Sequence, residues 1–454
     1  MTTTGGAENS FNKRQKLIVA VICITKFVNQ LASFWGTVCI PLESREKDIS
    51  MFVVGLLTAM ETAVSWLTAV ILSGTFLKLG GKNATGRLFF AGILIHSAST
   101  LFVAVAALIQ NKYVFISYFL VTYSLSGIGM ACVYTAINTL IIAELKFDNL
   151  IAKAKSFETI CYTLGTVFSF ISAGILYQFG KIALVVITLG GIEFIWLLLC
   201  FRVIPVSKLD MNSKEDYLAI TVDRSLTWSV GMKLTKEVSI TFTLLNHFMR
   251  FLILSFNQPI LSLHLINAFG LQPIFVGIVV ALAYIAAAIS AYPWIILGSS
   301  RIRRIVILLS TLWMICLIAP VMGPTEYFQE ITGLRPSLPL ICTMLAIAGI
   351  SLSPGMVLDV ADIADTMRRK KLDLNVSNSG TSAALLTSFE FLGLFLGPPL
   401  GGYLNDKYGF GNAFFFGSII PGFFSLLWLL YFIKSYFKHH KKVPADVEAV
   451  QDKY

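Results

Sequence analysis

Twelve apolar runs constrain this chain more than any other feature. They fall at about 17–40, 51–77, 87–109, 113–143, 156–179, 181–204, 240–267, 274–298, 303–323, 337–358, 380–404 and 411–433, here called spans 1 to 12. Each is near or above the ~20 residues that a helix needs to cross a bilayer core. A segment in lipid must satisfy its own backbone N–H and C=O groups, so every run is expected to be helical. The rest of the composition agrees. Charged residues are 13% and apolar residues 56% of the chain, against roughly 25% and 45–50% in soluble domains. So little charge cannot cover a water-facing surface, which excludes a soluble globular protein. The expected fold class is an all-α integral membrane protein with 12 transmembrane helices. The first run is too long for a signal peptide and no cleavage site follows it, so it reads as span 1.

The interval 205–239 is the one long polar interruption, and it splits the spans six and six. The expected organisation is an N-terminal segment 1–16, a first bundle 17–204, a linker 205–239, a second bundle 240–433 and a tail 434–454. Basic residues sort by side. With the N-terminus cytosolic, 27 of the 35 Lys and Arg residues fall in cytosolic segments, 6 in outer loops and 2, Lys26 and Arg250, inside spans. The positive-inside bias therefore puts both termini in the cytosol. It also explains the net charge of +10 without nucleic acid, because the positive charge is spread over seven segments. A short repeat accompanies the two halves: Ser156-Phe157-Glu158 recurs as Ser388-Phe389-Glu390 and Gly165 as Gly397, all offset by 232.

Ionisable groups deep in a span cost at least ~2.5–3.5 kcal/mol and are functional candidates by default. Lys26, Glu61, His247, Arg250 and Glu390 sit near mid-span; Glu158 is shallower, and Glu193 is also within a span. Glu390, Glu61 and Glu158 are the candidates for proton coupling. The bland alternative is a buried ion pair with Lys26 or Arg250 that only locks helices together. His247 and Arg250 are spaced i, i+3 on one helix face, and Asn257-Gln258-Pro259 follows. Proline removes a backbone hydrogen bond and breaks the helix there. A polar face beside a broken helix suits a substrate wall. Lys26, Asn29, His247, Arg250, Asn257 and Gln258 are therefore the candidate substrate-binding residues, with interhelical hydrogen bonding as the alternative. Asp359, Asp362 and Asp365 recur at i, i+3, i+6 before Arg368 to Lys371. They read as a cytosolic gate or, as charge runs usually do, a solvated and self-neutralising helix end. Gly393, Gly397 and Gly401 form overlapping GxxxG steps, the pattern of close helix packing.

The seven cysteines lie in apolar stretches without Cys-x-x-Cys spacing, so neither a disulfide frame nor a metal site is expected. No cofactor is called for, and no P-loop, HExxH or other catalytic set is present, so the chain is not expected to be an enzyme. Two sequons, at Asn83 and Asn375, fall on the expected cytosolic side and are expected to be unglycosylated. Tyr217-Leu-Ala-Ile220 fits a tyrosine-type sorting signal. The membrane, vesicular, endosomal or plasma, stays open.

Six plus six spans around a central loop resemble the major facilitator superfamily. Within it, Gly397-Pro398-Pro399-Leu400-Gly401-Gly402-Tyr403-Leu404, with Tyr408-Gly409-Phe410, is similar to the Gly-Pro-x-x-Gly-Gly stretch of the vesicular amine and polyamine transporter family. Pro41 to Lys47, Ser156 to Thr159, Gly174 to Tyr177, Gln258 to Leu263 and Met322-Gly-Pro324 also look like that family. The resemblance implies two six-helix bundles with pseudo-two-fold symmetry and a midplane cavity lined by spans 1, 2, 4, 5, 7, 8, 10 and 11. It implies proton-coupled antiport of small organic cations by alternating access, with Gly393, Gly397, Pro398, Pro399, Gly401 and Gly402 as the gating or packing motif. The partners implied are a small organic solute, protons and the lipid bilayer; a monomer is expected. The departures matter. Gln258 stands where the family has an acidic residue before the span-7 proline. The span-5 motif is eroded to Ser169 to Gly174, and the loop after span 2 lacks its Asp. The family's span-11 Asp falls near Thr387, one turn before Glu390. These departures leave two alternatives open. One is a facilitative or anion/sugar carrier using Arg250, His247 and Lys26. The other is a non-transporting channel or receptor.

Overall fold

A computed structural model describes residues 11–79, 84–145, 148–203, 235–298, 300–369 and 376–440. Asn83, Asn375, the Tyr217 signal, most of the central linker and the end of the tail lie outside the described residues. Among the described residues, ten helical stretches are long and apolar enough to cross a membrane. Two of them, Ser156–Arg202 with 47 residues and Leu385–Lys434 with 50, would each run to about 70 Å as straight helices, more than twice a bilayer core. Both turn back at a glycine. The first reverses at Gly180 and Lys181 (φ 54°), and the second at Gly409 (φ 77°), a left-handed conformation that glycine adopts without steric cost. Counting each as two crossings gives twelve spans.

Several spans are not single helices. Span 1 opens on a capping box, in which Gln15 N donates to Asn12 Oδ1 at 2.9 Å and Asn12 N donates to Gln15 Oε1 at 3.0 Å. It runs over Lys13–Ser33, bends at Phe34 and Trp35, and resumes as Gly36–Glu46. The apolar run ends at residue 40, yet the helix continues, because Glu43 and Ser44 are themselves buried and Glu43 accepts a hydrogen bond from Tyr177 Oη at 3.2 Å. Span 7 stops at Phe256 and restarts at Leu261. The break falls on Pro259, as its missing donor requires.

Apolar packing joins the two bundles on one side of the molecule. The largest buried cluster takes residues from both halves, among them Trp35, Val54, Phe170, Phe256, Val276 and Phe414, around the end opposite the chain termini. Toward the terminal end the packing separates. One cluster, with Ile22, Phe89, Ile137 and Leu197, belongs to the first half, and two others, around Leu308 and Leu244, belong to the second. The hydrogen bonds between the halves follow the same division. Ser262 Oγ donates to Thr37 O at 3.0 Å, Gln178 meets Gln272 at 3.2 Å, and Asp406 accepts from the N–H groups of Met51 and Phe52 at 3.0 and 2.8 Å. The bundles are thus closed at the end opposite the termini.

The aspartate series corrects one expectation. Asp359 and Asp362 are not a solvated helix end: they are 0% and 1% exposed. The helix of span 10 runs unbroken over Leu338–Arg369 and packs these carboxylates against span 7. There Asn246 Nδ2 and His247 Nδ1 lie 3.3 and 2.9 Å from Asp359, and Thr243 Oγ1 donates to Asp362 at 2.8 Å. Asp365 alone is partly exposed, and it pairs with Arg304.

Candidate functional site

A cavity lies between the bundles. Its walls come from spans 1, 2, 4, 5, 7 and 11, six of the eight expected. Two carboxylates face it, Glu61 from the first half and Glu390 from the second. Five aromatic rings surround them: Phe34, Tyr123, Tyr134, Tyr162 and Phe391. Gln258, at the break of span 7, completes the polar lining. Phe34 and Tyr284 close ring to ring across the halves at 6.4 Å, and Tyr134 meets Phe391 at 6.2 Å.

The remaining candidates sit behind this wall, already engaged. Lys26 Nζ is 3.2 Å from Glu158 and 3.0 Å from the centroid of the Tyr134 ring. A buried ammonium held by a carboxylate and a ring face has its charge compensated locally. Arg250 is surrounded by acceptors: Ser351 O at 2.5 Å, Leu308 O at 2.6 Å, Thr311 Oγ1 at 2.9 Å and Asn246 Oδ1 at 3.3 Å. Its guanidinium ties span 7 to spans 9 and 10. His247 bridges two acids, with Nδ1 2.9 Å from Asp359 and Nε2 3.9 Å from Glu390. Asn29 Nδ2 donates to Glu193 at 3.1 Å. Asn257 lies at the span-7 break with its Oδ1 buried and without a hydrogen-bond partner.

The glycine–proline motif of span 11 presents two faces. Gly393, Gly397 and Gly401 lie against the span-7 backbone at Phe248, Leu252 and Phe256, so these helices touch at distances that admit no side chain. On the other face the motif meets span 2 across the bundle boundary. A methyl group at Gly55 would lie 2.8 Å from Pro399 Cα, and one at Gly402 would lie 2.8 Å from Phe52 Cα.

Some contributors carry no mark in the sequence. His96 sits in span 3, wholly buried, between Glu61 and Glu193. A histidine inside an apolar run was the available signal. The cavity tyrosines have none, since aromatic residues are 13% of the chain and occur in eleven of the twelve spans. Among the described residues no cluster of His, Cys, Asp and Glu has the geometry to hold a metal ion.

Twelve helices in two bundles, closed at one end around a polar midplane cavity, have the architecture of the major facilitator fold. The comparisons agree. Residues 243–451 match the profile of the Major Facilitator Superfamily. The chain is 22% identical over 392 residues to the human MFS-type transporter SLC18B1, covering 85% of this chain and 79% of that protein, and 22% identical over 390 residues to the rat protein of that name. Among solved structures it is similar to a bacterial homolog of the human lysosomal transporter Spinster in an inward-facing, occupied conformation. That likeness has a TM-score of 0.71 and 14% identity, and covers 94% of this chain and 98% of that one. A POT family transporter gives a TM-score of 0.65 at 13% identity, over 92% and 96% of the two chains. The second half of the chain thus carries the superfamily's profile and the whole chain has the superfamily's multi-pass membrane fold; the proteins it resembles are transporters, not enzymes.

Proposed function

We propose that the protein exchanges protons for a small organic cation, an amine or polyamine, through the central cavity. The observation that carries this reading is the cavity wall, with two carboxylates set among five aromatic rings. Aromatic faces attract ammonium groups, more strongly when water is excluded. A carboxylate supplies the compensating charge without which a buried cation is costly. Glu61 and Glu390 stand on opposite bundles, so a diamine of suitable length meets one acid on each. A rocking motion that separates the bundles then breaks one of the two contacts and releases the substrate. Both termini are cytosolic on the charge distribution, and the closed end faces the lumen or exterior.

Basic residues for an anion are less available. Arg250 spends its donors on carbonyl and hydroxyl oxygens, and Lys26 is paired with Glu158. Gln258 on the wall favours a second reading, facilitated exchange of the same cation without protons, because it is uncharged where the resembled family is acidic.

Uptake of labelled spermidine, tetraethylammonium and glutamate into proteoliposomes, with and without an inside-acid pH gradient, tests both readings. Proton-coupled exchange concentrates spermidine when the gradient is imposed, and Glu390→Gln reduces that uptake about tenfold or more, the scale of losing one charged hydrogen-bonded contact. Gradient-insensitive spermidine counterflow selects the facilitative reading. Preference for glutamate rejects both.

A further inference from the structure

Behind the cavity wall of the first bundle, four helices converge on one imidazole. His96 Nδ1 is 2.7 Å from Glu193 Oε2, and its Nε2 is 3.2 Å from Glu61 Oε1 and 3.0 Å from Ser33 Oγ. Ser126 Oγ donates to the same Glu61 oxygen at 2.7 Å, and Asn29 Nδ2 donates to the other oxygen of Glu193 at 3.1 Å. His96 and Glu193 are 0% and 1% exposed; Glu61 is the one carboxylate of the set that also lines the cavity, beside Ser33. Spans 1, 2, 3, 4 and 6 thus all contribute to one continuous hydrogen-bonded set.

The charge balance of this set is incomplete. With every group ionised, two carboxylates and one imidazolium leave a net charge of minus one. No Lys or Arg among the described residues forms an ion pair with Glu61 or Glu193. The other ionisable groups facing Glu61 in the cavity are Tyr134, Tyr162, Glu390 and Tyr123 of span 4, whose Oη is buried without a hydrogen-bond partner; none of them is a cation. Span 1 offers neutral Ser33 and Asn29 at this level, and its Lys26 pairs with Glu158. The second bundle differs. There His247 joins Asp359 and Glu390, and Arg250 flanks Gly355 together with Asp359. Arg250 there supplies a permanent positive charge, which the set in the first bundle lacks, among Asp359, Glu390 and the buried Asp362. Isolated charge in a low-dielectric interior is costly, so the set in the first bundle calls for one more positive charge.

We infer that Glu61, His96 and Glu193 form the protein's proton-holding site, filled alternately by one proton and by the positive charge of the cargo. This rests on the cation-exchange reading above and assigns its coupling to the first bundle. A proton arriving from cavity water is taken up on the Glu61 carboxyl and makes the set neutral. A cation that docks against ionised Glu61 restores the same balance, and the proton leaves by the cavity. His96 holds Glu61 in line, and Glu193, beyond reach of the cavity, keeps the imidazole charged. His96 and Glu193 are therefore positioning residues, and their loss uncouples exchange without removing the cation's own contacts.

Two readouts on the full chain in liposomes test this. In the first, pH-step infrared difference spectra are recorded without substrate. Wild type shows a protonated-carboxyl band that Glu61→Gln abolishes and that His96→Gln or Glu193→Gln displaces along the pH axis. A band unchanged in all three variants overturns the inference whether or not the chain carries cations. In the second, labelled spermidine is followed at clamped membrane potential. A one-unit gradient supplies about a tenfold driving ratio per exchanged proton. Wild type accumulates spermidine under this gradient. His96→Gln and Glu193→Gln keep counterflow and lose the gradient-driven excess, with counterflow itself showing that each variant is folded. Undiminished accumulation in both variants overturns the inference. Absence of spermidine counterflow in wild type rejects the cation reading instead, and the infrared band alone then decides the proton site.

Discussion

Arg250 shows what the bilayer demands of a buried charge. Its side chain is 2% exposed, and four acceptors on spans 7, 9 and 10 surround the guanidinium. Arg250→Ala leaves those acceptors and nearby Asp359 uncompensated, a loss on the order of 3–5 kcal/mol. Arg250→Lys recovers little of it, because an ammonium cannot reach a fork of carbonyls on two other helices. Thermal unfolding of the detergent-solubilised variants is expected to show both substantially destabilised, with alanine the worse. Normal stability in Arg250→Ala, with a selective loss of substrate affinity, would return the residue to the cavity wall. At this scale the sequence announces which residues are unusual and hides whom they meet. Lys26, Glu61, Arg250 and Glu390 stand out because charge is rare in an apolar run. Glu158 as the partner of Lys26, or Asp359 as the partner of His247, lies more than 100 residues away and follows only from how the helices pack. Asp359 and Asp362 misled for that reason: beside a basic run they look solvated, and span 7 buries them.

The helices carry their own mechanics. Span 2 begins at Met51, and its first N–H groups lack intrahelical acceptors, as in any helix. Asp406, from the far end of span 11 in the opposite bundle, accepts from Met51 N and Phe52 N. A carboxylate at a helix N-terminus is stabilised both by capping and by the helix dipole, together worth about 0.5–2 kcal/mol. Here the cap joins two bundles and forms only when that end is closed. Asp406→Ala is therefore expected to open the closed end more often, by about 2- to 30-fold in the equilibrium between states. Gly402→Ala acts in the same direction through bulk, because its new methyl meets Phe52 Cα at 2.8 Å. Spin-label distances between spans 2 and 11 report the shift. An unchanged distance distribution in both variants would mean that the contact does not gate. The element breaks differ in legibility. Pro259 marks the span-7 break because proline cannot donate. The bend of span 1 at Phe34 and Trp35 has no such residue and follows from packing: Phe34 stacks edge-on against Tyr162, Phe170 and Tyr284.

Twelve spans, a two-fold division and the sidedness of positive charge were readable from hydropathy and loop composition, because a bilayer imposes length and backbone satisfaction on every crossing. Which end is closed was not readable. On the reading proposed above, one sequence supports two states at similar free energy, so no local pattern selects between them. The asymmetry of packing supplies that information. The large cluster shared by both bundles lies at one end, a small one of Met130, Phe251, Phe391 and Leu394 joins them beside the cavity, and the clusters toward the other end stay within their own bundles. Transport then requires the shared contacts to part in every cycle. Phe52 and Tyr403 meet across the boundary with ring centroids 6.3 Å apart, and both are partly exposed. With the seven native cysteines replaced, cysteines at these two positions are expected to be bridged by a short bis-methanethiosulfonate. Bridging should arrest spermidine counterflow, and a reductant should restore it. The bridged protein should still bind spermidine from the side of the termini, where the large apolar clusters stay within their own bundles. Counterflow that continues in fully bridged protein would show that these contacts do not part during transport, and with them would fall the rocking of one bundle against the other.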